Sequence, residues 1–232
     1  MRRPSPCTSY NRRMDQLIQA VTVYALPVLF AITLHEAAHG YAARYFGDNT
    51  AYMMGRISLN PLRHIDPIGT IVVPLVLFFL TSGAFLVGYA KPVPVNFGRL
   101  RNPKRDMIWV ALAGPASNFL QAFIWGLALV LLQAFGSTEP YFYDVARAGV
   151  QFNLLLMVFN LFPVPPLDGG RILVGLLPVR QAIALSRIEP YGFFIVMALL
   201  LTNIFSNFWL GPLMGVSQQL LQILLSPFQM LL

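Results

Sequence analysis

An almost unbroken apolar stretch, residues 17 to 43, carries three ionisable side chains within five positions near its end. They belong to the run His35-Glu36-Ala37-Ala38-His39. A stretch of this length and composition is fit to cross a bilayer as a helix. A charged side chain at bilayer depth costs about 2.5–3.5 kcal/mol on insertion scales, whereas each Leu or Ile returns only about 0.3–0.6. Three such groups together indicate a functional site, and histidines satisfied by neighbouring backbone are the weaker interpretation.

The spacing of the two histidines predicts a metal site. In a helix, His35 and His39 lie one turn apart on the same face and can present two imidazoles to one zinc ion. Glu36 lies about 100° around the helix from His35, where its carboxylate can reach a metal-bound water without binding the metal. Zinc lowers the pKa of such a water from about 15.7 to roughly 7, and the carboxylate can take its proton. We therefore expect one Zn²⁺ per chain and Glu36 as the catalytic base.

The composition is that of a multi-pass membrane protein. Of 232 residues, 56% are hydrophobic and only 11% are charged, which excludes an ordinary globular core. The chain has a net charge of +7, and in a membrane protein such a basic excess typically lies in cytoplasmic loops beside anionic lipid headgroups. The sequence shows no aromatic-basic face, so it does not indicate nucleic-acid binding. Cys7 is the only cysteine, so the chain has neither an intrachain disulfide nor a cysteine-based metal site.

The apolar segments predict an all-α bundle of about five or six transmembrane or re-entrant helices. They are residues 17–46, 67–90, 107–135, 145–162, 191–210 and 212–232, the last either a span or an interfacial helix. Residues 50–66 mix polar and apolar side chains, and we expect them to add a short interfacial β-strand or two. We expect residues 1–15 to be a polar tail and residues 16–232 to form one intramembrane metalloprotease domain, with its catalytic core at about 30–180.

A catalytic zinc site needs a third protein ligand and an open position for water. Asp168 is the strongest candidate, because it follows an apolar segment and the proline-rich run 163–167, which cannot be regular helix. Irregular backbone at membrane depth is tolerated where it is buried in protein or lines a watery cavity. His64 is the alternative ligand, and a turn aspartate at a helix exit is the alternative interpretation of Asp168.

Three motifs together resemble the site-2 protease family of intramembrane zinc metalloproteases, in a minimal form without a PDZ or CBS module. They are His35-Glu36-x-x-His39, the run Gly114-Pro115-Ala116-Ser117-Asn118, and Asn160-x-x-Pro163-x-Pro165-x-Leu167-Asp168-Gly169. The resemblance implies His35, His39 and Asp168 as zinc ligands and Glu36 as base. It also implies that Asn160 steadies the substrate carbonyl and its oxyanion, and that the reaction is peptide-bond hydrolysis in another protein's transmembrane helix. We place Asn118 among the substrate-binding residues.

The chemistry of the site constrains the membrane topology. Zinc bonds of about 2 Å require the histidines and Asp168 at one depth, so the first and fourth apolar segments should run parallel. One full crossing by residues 67–90 would make them antiparallel, which favours a re-entrant hairpin or an even number of passes there. The basic loops then lie in the cytosol. We expect a prokaryotic cell (inner) membrane, with the active site opening toward the cytosol.

Residues 91–97 read Lys-Pro-Val-Pro-Val-Asn-Phe. Each proline excludes its predecessor from the helical region, so the run must be extended. Val93, Val95 and Phe97 alternate to one side, as in an edge strand to which an unwound substrate can be added, and we predict them as substrate-binding residues. The alternative is a basic loop that only touches lipid headgroups.

Two other functions fit parts of the pattern: a zinc-binding membrane channel or transporter, and an inactive relative that binds transmembrane helices. A transporter needs no glutamate beside the first histidine and usually shows repeated halves, whereas this chain has Glu36 and no internal repeat. Intact ligands and base argue against the inactive relative. The favoured function is an intramembrane zinc metalloprotease with a transmembrane-helix protein as substrate.

Overall fold

Residues 6–63 and 91–231 are described in the computed structural model of this chain, and they contain helices but no β-strand. The helices, in chain order, are α1 (Pro6–Tyr45), α2 (Thr50–Met53), α3 (Pro103–Ala134), α4 (Pro140–Asn160), α5 (Asp168–Leu176), α6 (Val179–Ser186), α7 (Glu189–Leu201) and α8 (Gly211–Leu231). Short 3-10 turns occur at Pro61–Arg63 and Phe97–Arg99, and a π-helical turn at Ser206–Leu210.

Three of the described helices are long and apolar enough to cross a membrane: Val21–Tyr45, Pro103–Ala134 and Ser206–Met230. The pair Val179–Ser186 and Glu189–Leu201 makes a fourth candidate if it counts as one span bent by 67°. The prediction of a multi-pass, all-α membrane fold is thus confirmed in its coarse form. The predicted segment 67–90 and the alternative ligand His64 lie outside the described residues.

The prediction of interfacial strands is wrong for residues 50–63. This part of the chain forms α2 and a 3-10 turn, and its backbone bonds are local, such as Met54 N–H to the Thr50 carbonyl at 3.1 Å and Arg56 N–H to the Ala51 carbonyl at 2.9 Å. Asp48 favours this helical start by accepting the Thr50 N–H at 2.9 Å. An isolated two-stranded ribbon has little stability of its own, so local helical bonding prevails.

The predicted helix over residues 191–210 is interrupted. α7 ends at Leu201, and Asn203 has a φ of 58°, the left-handed conformation that terminates helices. A π-helical turn then leads into α8, and the unit Ser206–Met230 is itself long and apolar enough to span. Of the two alternatives for the last segment, the structure therefore favours a spanning helix.

Contacts along α1 and α4 indicate that these two helices run parallel. At the start of α4, the Tyr141 hydroxyl donates to the Thr22 carbonyl in the first half of α1 at 3.3 Å. Further along both helices, the Asn118 amide of α3 donates to the Ala31 carbonyl and to Asn153 Oδ1, at 3.2 and 2.9 Å. Residue numbers rise together in α1 and α4, which is the orientation that the proposed zinc chemistry requires.

α1 ends and α3 begins at the same end of the bundle. The Arg101 N–H donates to the Phe46 carbonyl at 2.9 Å, and buried Ala43, Leu100 and Val110 pack together beside it. α3 therefore runs antiparallel to α1, and its first turns lie against the histidine-bearing half of α1.

The largest buried cluster joins α3, α4 and α8 through Ala122, Leu154, Val158, Leu221 and Leu225. Between membrane helices such close packing replaces the hydrophobic driving force that acts in water. α8 is thereby held against the α3–α4 pair, and α1 packs on both α3 and α4.

Candidate metal centre

Two imidazoles and one carboxylate meet where the second half of α1 faces the start of α5. His35 Nε2 and His39 Nε2 are 3.1 Å apart. Asp168 Oδ2 lies 3.3 Å from His35 Nε2, and its Oδ1 lies 3.4 Å from His39 Nε2. The three side chains are only 7%, 12% and 12% exposed. The structure thus brings together the three residues expected as metal ligands.

The other nitrogen of each imidazole is bonded to a group that fixes its tautomer. His39 Nδ1 lies 2.7 Å from the Val110 carbonyl oxygen, which can only accept a hydrogen bond. His35 Nδ1 lies 2.6 Å from Asn118 Oδ1. Both Nδ1 atoms therefore carry the proton and donate it, which leaves each Nε2 with a lone pair directed into the site.

The orientation of the Asn118 amide is itself determined by a chain of hydrogen bonds. Its Nδ2 donates to the Ala31 carbonyl and to Asn153 Oδ1, and Asn153 Nδ2 donates to the Gly149 carbonyl at 2.9 Å. Because the two backbone carbonyls can only accept, each amide has one consistent orientation, with Asn118 Oδ1 facing His35. Partners of this kind orient metal-binding histidines and raise their basicity.

The donor set fits a tetrahedral zinc ion. Three groups that can offer lone pairs, the Nε2 atoms of the two neutral imidazoles and the Asp168 carboxylate, lie 3.1–3.4 Å apart, so that one cation can contact all three. Zinc bonds of about 2.0–2.1 Å at tetrahedral angles place ligand atoms about 3.3–3.4 Å apart. Three protein ligands leave the fourth position for water, as catalytic zinc sites do.

Gly114 lets α3 approach the histidines. A Cβ on Gly114 would lie 2.4 Å from His39 Nε2 and 2.6 Å from His35 Cε1. The next residue, Pro115, cannot donate an N–H to the Ala111 carbonyl, although the helix continues through this position. One turn earlier, the Val110 carbonyl is the acceptor for His39.

The loop between α4 and α5 directs Asp168 toward the histidines. Leu167 precedes α5 in an extended conformation, so Asp168 begins the helix. Cβ atoms on the next two residues would collide with loop backbone, at 2.0 Å from the Leu161 oxygen for Gly169 and 2.2 Å from the Pro165 nitrogen for Gly170. The two glycines therefore allow α5 to fold tightly back on the end of α4.

Glu36 is half-buried beside His35, and its carboxylate has a backbone partner. Oε2 accepts the Val93 N–H at 2.7 Å. The contact attaches residues 91–96 to the motif-bearing part of α1. The contact between Val93 and Glu36 was not predicted from the sequence, because every residue except proline carries a backbone N–H and its partner cannot be inferred from residue type.

The remaining residues that were predicted to bind substrate or stabilise the oxyanion lie outside the His-His-Asp group. Asn160 ends α4, and its Nδ2 donates to the Leu156 carbonyl at 2.9 Å. Val93 is buried, and Val95 and Phe97 pack on the cluster at the end of α1. Their substrate contacts stay predictions. Asn118 is completely buried, and both ends of its amide are occupied by protein, which does not suit the substrate contact expected of it.

Several helices that can span a membrane, together with a buried His-His-Asp group that could hold a metal ion, define the class as an integral membrane protein with a candidate metal site. Residues 142–203, which include Asp168, match the model of the peptidase family M50. No solved structure matches the chain.

Curated relatives cover most of the sequence. The chain is 36% identical to "Putative zinc metalloprotease YwhC" of Bacillus subtilis strain 168, over 89% of this chain and 93% of the relative. It is 32% identical to "Putative zinc metalloprotease Rip2" of Mycolicibacterium smegmatis, over 83% of this chain and 74% of the relative. "Zinc metalloprotease MJ0392" of Methanocaldococcus jannaschii is 36% identical over 63% of this chain and 32% of its own length. The chain belongs to peptidase family M50, the site-2 protease family of zinc metalloproteases.

Proposed function

We propose that this chain is an intramembrane zinc metalloprotease that hydrolyses peptide bonds within or near transmembrane helices of its protein substrates. The observation that carries the proposal is the set of three possible metal-ligand groups, on His35, His39 and Asp168, spaced like the ligands of one tetrahedral ion. Two of the three residues, His35 and His39, belong to a helix that is apolar enough to span a membrane. We assign the three side chains as the ligands of one Zn²⁺ and Glu36 as the catalytic base, all in one domain formed by residues 16–232.

When bound, zinc would polarise the scissile carbonyl and lower the pKa of the attacking water. Glu36 accepts the proton that the water loses as its oxygen bonds to the carbonyl carbon. Oε1 is suited to this step, since Oε2 is bonded to the Val93 N–H. As the carbon–nitrogen bond breaks, Glu36 returns the proton to the leaving amine. The net reaction consumes one water and yields one carboxylic acid and one amine, which exchange a proton at neutral pH to become carboxylate and ammonium.

Asn160 is proposed to stabilise the substrate carbonyl as it gains negative charge. Its amide NH₂ carries two donors, and one of them bonds the Leu156 carbonyl within α4. The second N–H is then the donor for the oxyanion. Loss of one such donor typically costs about 10²–10³ in rate, less than loss of the base or the metal.

The membrane orientation is proposed from the parallel course of α1 and α4 together with the charge of the loops, and the four arginines at positions 2, 3, 12 and 13 then lie outside as an exception to the usual charge bias. Arg44, Arg56, Arg99 and Arg101 lie at the end of the bundle where α1 stops and α3 starts, and Arg171 follows Asp168 within α5. An excess of arginine and lysine marks the cytoplasmic side and its anionic lipid headgroups. We therefore propose a prokaryotic inner membrane with the site opening to the cytosol.

The direct test uses the purified chain in lipid nanodiscs with a helical membrane-protein substrate. Wild-type protein should contain one zinc and cleave within or near the substrate's transmembrane helix. Glu36→Gln should keep the zinc but lose cleavage, because an amide cannot accept the water proton. Glu139→Gln, an exposed glutamate at the start of α4, is the matched control and should cleave normally.

Each other result points away from this function. Cleavage by Glu36→Gln at the wild-type rate would remove Glu36 as the base. Zinc binding with no cleavage by the wild type would favour the inactive relative, and zinc flux into sealed vesicles without cleavage would favour the transporter. Full zinc content in Asp168→Ala would remove Asp168 from the ligand set.

A further inference from the structure

Residues 91–96 form neither helix nor strand, and this segment is held at both ends by charged side chains that follow the motif helix. Arg56 Nη2 donates to the Lys91 carbonyl at 3.2 Å and to the Pro92 carbonyl at 3.4 Å. At the other end, Asp48 Oδ2 accepts the Asn96 N–H at 2.6 Å. Between these two anchors, the Val93 N–H donates to Glu36 Oε2.

Both anchors are themselves ordered by further bonds. Arg56 Nη1 donates to the Arg63 carbonyl at 2.9 Å, and Arg63 Nη1 in turn donates to the Gly55 carbonyl at 3.0 Å. Asp48 is completely buried and accepts the Thr50 N–H through its other oxygen. A segment tied to two such groups cannot drift far from α1.

The prolines concentrate the hydrogen-bonding capacity of this segment on one position. Pro92 and Pro94 have no N–H, so Val93 supplies the only backbone donor from 92 to 94. Each proline also holds its predecessor in the extended region. The Glu36 carboxylate thus has one backbone N–H donor from residues 92–94, and the flanking prolines restrict the direction in which that N–H points.

A carboxylate held through one oxygen has its rotation limited and its other oxygen presented. A general base must lie within about 2.6–3.2 Å of the proton that it takes, and a misplacement of about 1 Å can cost roughly 10²-fold in rate. We infer that the Val93 N–H positions Glu36 for catalysis, and that Arg56 and Asp48 are positioning residues acting through the 91–96 backbone. This inference rests on the proposed protease function.

The bond from the Val93 N–H to Glu36 bears on the edge strand predicted at Val93, Val95 and Phe97. A substrate strand added along Val93 and Val95 would need the Val93 N–H for its own ladder, but that N–H is bonded to Glu36. Substrate pairing through this group and orientation of the base are therefore mutually exclusive. The main role of residues 91–96 is therefore to position the Glu36 carboxylate.

Two variants at one position separate the N–H from the side chain. Val93→Pro removes the N–H and keeps an apolar side chain. Val93→Ala keeps the N–H and loses the contact of the Val93 side chain with the Gly40 position. With equal zinc content, kcat of Val93→Pro should be about 100-fold below that of Val93→Ala, with KM similar. Equal kcat values, or zinc loss in Val93→Pro, would overturn the inference.

Arg56 is tested in the same assay. Arg56→Gln should lower kcat with zinc retained, and Arg56→Lys should recover most of the loss, because an ammonium group can still donate to the carbonyls of residues 91 and 92. Arg180→Gln removes an exposed arginine of α6 and controls for charge. An Arg56→Gln variant with wild-type kcat would exclude Arg56 as a positioning residue.

Hydrogen–deuterium exchange of zinc-free protein gives a readout independent of catalysis. A peptide over residues 91–96 contains few exchangeable amides because of its two prolines. Glu36→Ala should accelerate exchange at Val93, and Asp48→Ala at Asn96. Unchanged exchange in both variants would show that the bonds are not formed, whatever the activity. Absence of cleavage in every protein, wild type included, with normal exchange changes would instead refute the protease function.

Discussion

Gly114 on α3 and His39 on α1 approach so closely that a single added methyl group would lie 2.4 Å from the imidazole Nε2 atom. The same Cβ would lie 2.6 Å from His35 Cε1. The backbone of α3 therefore forms one wall of the metal centre. A glycine is required there by the space around the imidazoles, since Gly114 lies within a regular helix.

Gly114→Ala is expected to displace both histidines and abolish zinc binding. The matched control is Gly126→Ala on the same helix, where a Cβ would meet the flexible end of Leu225 at 2.5 Å and can be accommodated by a rotamer change. Zinc content measured after purification should fall only in the first variant. Full occupancy in Gly114→Ala would mean that α3 lies further from the site than the structure indicates.

Asn118→Leu is expected to lower zinc affinity about 10–100-fold, the usual effect of removing the partner of a metal-binding histidine. Leucine has a similar size but cannot accept the His35 Nδ1 proton, so the ring is free to adopt the wrong tautomer. Chelator competition gives the affinity. Asn160→Ala is the comparison, because its amide bonds only within α4 among the contacts described, and it should leave affinity unchanged.

The sequence was most informative where chemistry and periodicity coincide. That the two imidazoles of His35 and His39 lie on one face follows from helix geometry alone. Asp168 was favoured because it follows an apolar segment and the proline-rich run 163–167. The Asn118–Asn153 bond joins residues 35 positions apart on different helices, and no local pattern indicates it. A buried polar residue such as Asn153 within an apolar segment was nevertheless a usable signal.

Backbone contacts were the least accessible to sequence reasoning. The prolines account for the absence of helix from residues 91–96, yet their partners Glu36, Asp48 and Arg56 depend on how the chain returns to the end of α1. The strands expected near residue 50 did not form, because a strand needs a partner whereas α2 completes its bonds locally. Pairing across the chain is decided by tertiary structure.

Gln121→Met is expected to raise the melting temperature. Gln121 is only 5% exposed, and neither its Nε2 nor its Oε1 has a hydrogen-bond partner among the described residues. A buried unsatisfied polar group costs about 1–3 kcal/mol, whereas the unbranched methionine fills a similar volume. Gln133→Met, at an exposed position of α3, should change little. A lower melting temperature for Gln121→Met would indicate that water or another partner bonds the amide.

Asp48 should make stability depend on pH in a predictable direction. Burial acts to raise the pKa of its carboxyl group. Hydrogen bonds from the Thr50 hydroxyl and from the N–H groups of Thr50 and Asn96, together with the Arg99 guanidinium, outweigh burial, so the pKa lies below its ordinary value. A carboxyl group with a lowered pKa in the folded protein stabilises the fold above its unfolded pKa of about 3.9, and the contribution is lost as pH falls through the folded value.

The measurement is the melting temperature of detergent-solubilised protein from pH 7 down to about 3, below the ordinary carboxyl pKa. At neutral pH the melting temperature of the wild type should be higher than that of Asp48→Asn. This difference in melting temperature should shrink as the pH falls below the ordinary carboxyl pKa, because the wild-type carboxyl group then becomes protonated. Asp144→Asn, whose side chain is 41% exposed and 3.8 Å from Arg147, should show little difference at any pH, as exposed ion pairs contribute little. A difference for Asp48→Asn that grows toward acid would contradict the assignment of Asp48 as an ionised anchor of residues 91–96.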